Sequence, residues 1–194
     1  MRFKFKLLVV VKMLKKKLGI EAIEKDSWTL GVISYSRIGL YFKIPPTLVI
    51  PDGCKWIGDW AFWRCKKLRK VVIPESVVEI RDFAFKECRD LEEVEIPKSV
   101  KNIGVGAFRE CKKLEKVAIS EGVEWISTKS FCECWKLKKV EIPKSVRWIG
   151  DGAFEGCKKA TIILQKPKNE FKEIQLRAFS GVKNVRYAKE EVRN

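Results

Sequence analysis

One feature constrains the fold of this chain more than any other: a 23-residue period. Rows beginning at Ile50, Ile73, Ile96, Ile119 and Ile142 read IPDGCKWIGDWAFWRCKKLRKVV, IPESVVEIRDFAFKECRDLEEVE, IPKSVKNIGVGAFRECKKLEKVA, ISEGVEWISTKSFCECWKLKKVE and IPKSVRWIGDGAFEGCKKATIIL. A unit this short cannot bury its own apolar side chains. It must stack on copies of itself, so that neighbouring units build one continuous core.

The columns say which residues enter that core. One is Ile57, Ile80, Ile103, Ile126 and Ile149; another is Phe62, Phe85, Phe108, Phe131 and Phe154. Small residues precede the rings, at Ala61, Ala84, Ala107, Ser130 and Ala153. Leu68, Leu91, Leu114, Leu137 and Ala160 form a third column, followed by Val71, Val94, Val117, Val140 and Ile163. The stretch Leu68 to Pro74 alternates at its end as a strand does. Proline then stops the ladder in four rows, with Ser120 in its place in the fourth. Gly53, Ser76, Ser99, Gly122 and Ser145 mark a turn. The A-F-x-x-C stretch is too short for a regular helix and predicts a tight turn or a single helical turn.

The pattern I-P-x-S-V-x-x-I-G-x-x-A-F-x-x-C-x-x-L-x-x-V, strongest from Ile50 to Leu164, resembles the BspA-type (Treponema pallidum-type) leucine-rich repeat. The resemblance implies a right-handed, mainly β solenoid. One parallel strand per repeat lies on one face, with turns or short helical turns on the other. It also implies a binding role, since family members are mostly surface or secreted proteins that bind host proteins, matrix or cells.

The expected organisation has three parts. Residues 1–26 are a basic segment that caps the solenoid. Residues 27–164 are the solenoid, with five regular repeats over 50–164 and an atypical first repeat or capping hairpin over 27–50. Residues 165–194 are a degenerate last repeat and C-terminal cap, since Ile174, Ala178, Phe179 and Gly181 follow Ile149, Ala153, Phe154 and Gly156 at a spacing of 25. Asn184 to Tyr187 could supply a last strand.

Two counts bear on function. The chain has no histidine, which removes the commonest general base and zinc ligand, so a Ser-His-Asp or Cys-His site cannot be built. Without a phosphate-cradling glycine loop or a convergent acid pair, the expectation is a non-catalytic protein with no cofactor and no bound metal. The net charge is +16, from 41 Lys and Arg against 25 acids. This balance favours acidic partners, although a lysine-rich composition that serves solubility would look the same.

Five of the seven cysteines, Cys65, Cys88, Cys111, Cys134 and Cys157, recur every 23 residues and read as a ladder of buried thiols. Cys54 stands in a column of valines, and Cys132 is off the pattern. Free thiols suggest a reducing compartment. The apolar run Leu7 to Val11 is short for a secretory segment, and Lys12 interrupts it. Both point to a cytoplasmic location, against the cell-surface or secreted location that the resemblance implies. No stretch reaches the ~20 apolar residues of a membrane span.

With the core columns removed, three sets of columns remain for solvent and partners. Lys70, Val72, Glu93, Glu95, Lys116, Lys139 and Glu141 lie on the strand face. Their mixed charge suits a specific protein ligand. Trp56, Trp125 and Trp148 precede the buried isoleucines, with Trp60 and Trp63 near Trp56 and with Trp125 and Trp148 on adjacent rungs where they could stack. Exposed tryptophan beside Lys or Arg favours interfaces. Lys66, Lys67, Arg89, Lys112, Lys113, Lys136, Lys158 and Lys159 follow the cysteines as a basic ladder. Like charges ~5 Å apart repel by roughly 0.8 kcal/mol per pair in water. Either nearby acids, such as Glu87, Glu110 and Glu133, offset that ladder, or an anionic partner uses it. The sequence thus favours a monomeric or weakly self-associating scaffold for an unidentified protein ligand, with nucleic acid or another anionic surface, bound through the basic ladder and the basic N-terminus, as the alternative.

Overall fold

The computed structural model describes residues 32–33, 45–50 and 52–188. Segment 1–26, most of the stretch 27–44 and the tail 189–194, to which cap roles were assigned above, lie outside the described residues.

The chain winds into a parallel β-solenoid of about six turns, with one 3-10 turn at Lys168–Glu170 as the single helical element among the described residues. The longer strands are β2 (Thr47–Val49), β4 (Lys70–Val72), β6 (Glu93–Ile96), β8 (Lys116–Ile119), β10 (Lys139–Ile142), β12 (Thr161–Leu164) and β14 (Asn184–Tyr187). They pair in parallel, each on the rung before, as one seven-stranded sheet. A second parallel sheet of two-residue strands lies across the core: β1 (Val32–Ile33), β3 (Trp56–Ile57), β5 (Glu79–Ile80), β7 (Asn102–Ile103), β9 (Trp125–Ile126), β11 (Trp148–Ile149) and β13 (Glu173–Ile174). Each regular repeat therefore contributes two strands, one to each sheet.

Local chemistry explains the corners. After β4, the carbonyl of Pro74 accepts the Val77 N–H at 3.1 Å, and Pro97 and Pro143 do the same for Val100 and Val146. Ser120 makes the same turn, and its own N–H donates to Ile96 at 3.1 Å, a bond proline cannot make. The A-F-x-x-C stretch is a pair of tight turns, each built on a left-handed residue. Trp60, Phe83, Gly106, Lys129 and Gly152 form one column of positive φ, and Arg64, Glu87, Glu110, Glu133 and Gly156 form the other. These turns also stack through backbone bonds, such as Phe85 N–H to Ala107 O at 2.8 Å.

The core runs unbroken between the sheets. Phe62, Phe85, Phe108, Phe131 and Phe154 stack with ring centroids 5.2–5.3 Å apart. Ser130, in the alanine column, is fully buried and donates to backbone carbonyls, including Gly104 O at 3.1 Å.

The period breaks where the sequence alignment continued it. Val140 pairs with Ile162, and Ile142 with Leu164, a spacing of 22. One residue is lost between Ala160 and the strand. Ile162 is therefore the buried member of the valine column, and Ile163 points to the outer face. A one-residue slip must exchange the faces of a strand, because side chains alternate.

Candidate binding surfaces

The outer face of the longer sheet carries two ladders in register. One is Thr47, Lys70, Glu93, Lys116, Lys139, Thr161 and Asn184. The other includes Val49 beside Val72, Glu95 beside Ala118, and Glu141 beside Ile163 and then Arg186. All the strand-face residues named from the sequence are brought together here. Lys70 Nζ lies 2.5 Å from Glu93 Oε1, and Lys139 Nζ 2.6 Å from Glu141 Oε1. The hydrogen bond from Lys70, then its charge, holds the Glu93 carboxyl below its usual range and raises the Lys70 ammonium. Gln165 Nε2 also donates to Glu141, at 3.0 Å. Val49 and Val72 are each about 40% exposed, an apolar pair beside the Lys70–Glu93 pair.

The tryptophans divide. Trp56, Glu79, Asn102, Trp125, Trp148 and Glu173 line the outer side of the shorter sheet. Trp125 is exposed, whereas Trp56 and Trp148 are half-buried, with the Arg81 guanidinium 5.1 Å from the Trp56 ring. Trp125 and Trp148 are register partners, but their rings do not stack as the sequence suggested. The aromatic stack lies elsewhere. Trp60 packs on Phe83 at 4.3 Å and meets Trp63 edge-on at 5.6 Å, with Lys86 Nζ 5.3 Å from the Trp60 ring. Phe83 was missed because it shares a turn column with Gly106 and Gly152, and nothing in one row shows that a ring there lies flat.

The basic ladder is partly compensated. Lys113 pairs with Asp90 at 2.8 Å, Arg89 with Glu87 at 3.3 Å, and Lys112 lies 4.0 Å from the Trp135 ring. Glu87, 6% exposed, also accepts from Arg64 at 2.9 Å; burial raises its carboxyl, but the hydrogen bonds from Arg64 and Trp63 and the charges of Arg64 and Lys86 together hold it below the usual range. Glu133 accepts from the Trp135 indole. Lys66, Lys67, Lys136, Lys158 and Lys159 make no ion pair among the described residues.

The cysteines are structural. Cys88, Cys111, Cys134 and Cys157 each donate a thiol hydrogen bond, at 3.0–3.2 Å, to the phenylalanine carbonyl one rung back. All seven are free and buried. Burial pushes the Cys54 and Cys132 thiols up to about 11. Such thiols are poor nucleophiles, so they can stay reduced in either redox environment. Among the described residues no group of three or more metal-ligating side chains converges, and no helix is long and apolar enough to cross a membrane.

Comparison with known proteins accords with this architecture. The model of the BspA-type leucine-rich repeat region matches residues 45–161 and 103–189, in six copies. The chain belongs to this family. Bacterial proteins of known structure are similar to it. The pneumococcal vaccine antigen PcpA is 29% identical with a TM-score of 0.59, over 62% of this chain and 31% of that one. A leucine-rich repeat protein of Bacteroides ovatus is 27% identical with a TM-score of 0.59, over 79% and 45%. The T. pallidum leucine-rich repeat protein is 26% identical with a TM-score of 0.51, over 73% and 59%. The chain thus spans less than two thirds of each of these proteins. No curated protein matches it. The repeat family implies, in general terms, a scaffold for protein binding.

Proposed function

We propose that this BspA-type solenoid is a non-catalytic scaffold that binds a protein ligand through the outer face of its longer sheet. One observation carries the reading: seven parallel strands hold two ladders of exposed side chains in fixed register, with Val49 and Val72 beside the Lys70–Glu93 pair. At ~4.8 Å per strand the ladders extend for roughly 29 Å, the reach of a protein interface. Alternating charge selects one partner over others more effectively than it adds affinity. An extracellular or surface role would accord with this reading, since buried thiols do not require a reducing compartment.

The test is capture of a ligand by the intact chain, compared with a variant carrying Glu93→Ala, Glu95→Ala, Lys116→Ala and Lys139→Ala. Loss of capture with an unchanged melting temperature supports the reading; full capture by the variant sinks it. A second reading, an anionic partner along the corner ladder, rests on the unpaired Lys66, Lys67, Lys136, Lys158 and Lys159. It requires binding to nucleic acid that weakens steeply between low and moderate salt, and absence of such binding at low salt eliminates it.

A further inference from the structure

The loop between β12 and β13 departs from the repeat. From Leu164 to Ile174 it spans ten positions, where Ile142 to Ile149 spans seven. The extra length makes a 3-10 turn at Lys168–Glu170 and lines a groove of about 620 Å³ together with the corner of the preceding rungs. That corner is a stacked column: the Glu124 N–H donates to Lys101 O at 2.9 Å, and the Arg147 N–H to Glu124 O at 2.9 Å.

Lys166 lines this groove and is only 6% exposed. Its Nζ sits 4.4 Å from the centre of the Phe171 ring and makes no hydrogen bond or ion pair among the described residues. Burial lowers its pKa and the charge of Arg147 adds to this, while Glu170 and Glu121 offset it only in part. The acids of the groove are outnumbered by its cations. Glu124 is shared loosely between Lys101 at 4.0 Å and Arg147 at 3.8 Å. Lys144 and Lys172 add two more cations, against Glu170 as the other lining acid. Glu121, nearby, is already occupied, accepting the N–H groups of Lys144 and Ser145 at 3.1 Å each.

We propose that this groove is an anion site for a doubly charged oxyanion, phosphate or sulfate, with Lys166 and Arg147 as its main ligands. Lys166 offers three ammonium donors at the groove on a stem that is buried and held in place. Arg147 offers a planar fork suited to tetrahedral oxyanions. Five cations against three acids leave room for two negative charges, which a single carboxylate ligand would not supply. The site lies apart from the outer face of the longer sheet, so the strand-face variant leaves it intact.

The experiment is calorimetric titration of the intact chain with inorganic phosphate, inorganic sulfate and acetate at constant ionic strength. Saturable one-to-one binding of phosphate or sulfate, stronger than that of acetate, is expected, and the stronger of the two dianions identifies the group the ligand carries. Lys166→Met weakens binding by about tenfold or more, and Arg147→Gln weakens it independently. Lys55→Met, exposed and outside the groove lining, leaves it unchanged. Lys166→Met keeps the apolar stem that packs on Phe171 and removes only the charge, so the variant keeps its melting temperature. Lys166→Arg, which retains the charge, preserves binding should the methionine variant fail to fold. Absence of saturable binding by either dianion, or equal binding by the wild type and Lys166→Met, overturns the proposal.

Discussion

The Cys111 thiol donates a hydrogen bond to the carbonyl oxygen of Phe85, 3.2 Å away on the preceding rung. This contact recurs along the solenoid and requires a protonated sulfur, which makes stability sensitive to alkaline pH. Burial raises the thiols of Cys54, Cys88, Cys111, Cys132 and Cys134, those of Cys54 and Cys132 to about 11. An unfolded cysteine ionises near pH 8.5. Because the folded values are higher, the contribution is fully present below about pH 8.5 and declines as pH rises toward the folded values. Each such thiol lowers stability as pH rises through that window, and the five act in the same direction. Urea unfolding should be nearly flat from pH 7 to 8 and fall steeply above about pH 9. Cys54→Val, the residue other rows place there, should lessen the slope by about one fifth.

The phenylalanine ladder predicts a position-dependent loss. Phe108 is fully buried between Phe85 and Phe131, each at 5.3 Å. Phe108→Ala should cost about 3–5 kcal/mol, from lost burial and the cavity left between two rings. Phe179 is partly buried and stacks on Phe154 at 5.9 Å. Phe179→Ala should cost less than half as much. Denaturant unfolding of the two variants under one condition measures the difference.

Backbone strain gives a prediction of opposite sign. Lys129 has φ 56°, in a turn column where Gly106 and Gly152 have φ 56° and 60°. A left-handed residue with a Cβ is strained by about 1–2 kcal/mol, and glycine gives back part of that in chain entropy. Lys129→Gly should therefore stabilise the chain by about 0.5–1 kcal/mol, visible as a rise of about 1–4 °C in melting temperature. Gly106→Ala should do the reverse, because its Cβ would fall 2.7 Å from the Phe83 ring.

The repeat made most of the fold legible. A one-dimensional stack puts each residue beside its equivalents, so the Ile57, Phe62, Leu68 and Cys65 columns could be assigned to the core from spacing. The shorter sheet was not legible, because two residues are too few to show a period. Nor was the stack of Trp60 on Phe83, which depends on left-handed turns that no single row encodes. Lys66 and Lys159 follow the repeat cysteines and are exposed, but whether neighbouring acids reach their ladder is a matter of side-chain geometry. The Lys166 groove forms where the period fails, and its one sequence signal was the extra length between Leu164 and Ile174.

The lost residue at Ala160 supplies a test of register that also reaches the candidate binding face. Continuing the 23-residue spacing would bury Ile163; the observed pairing of Val140 with Ile162 buries Ile162 completely and turns Ile163 outward. Ile162→Ala should cost about 2–5 kcal/mol, and Ile163→Ala less than about 1 kcal/mol. The reverse order in denaturant unfolding would restore the uninterrupted period. Ile163 stands in register with Glu141 on the outer face. If the ligand spans that face, Ile163→Ala should weaken its capture while leaving the fold nearly unchanged, whereas Ile162→Ala acts on the fold first.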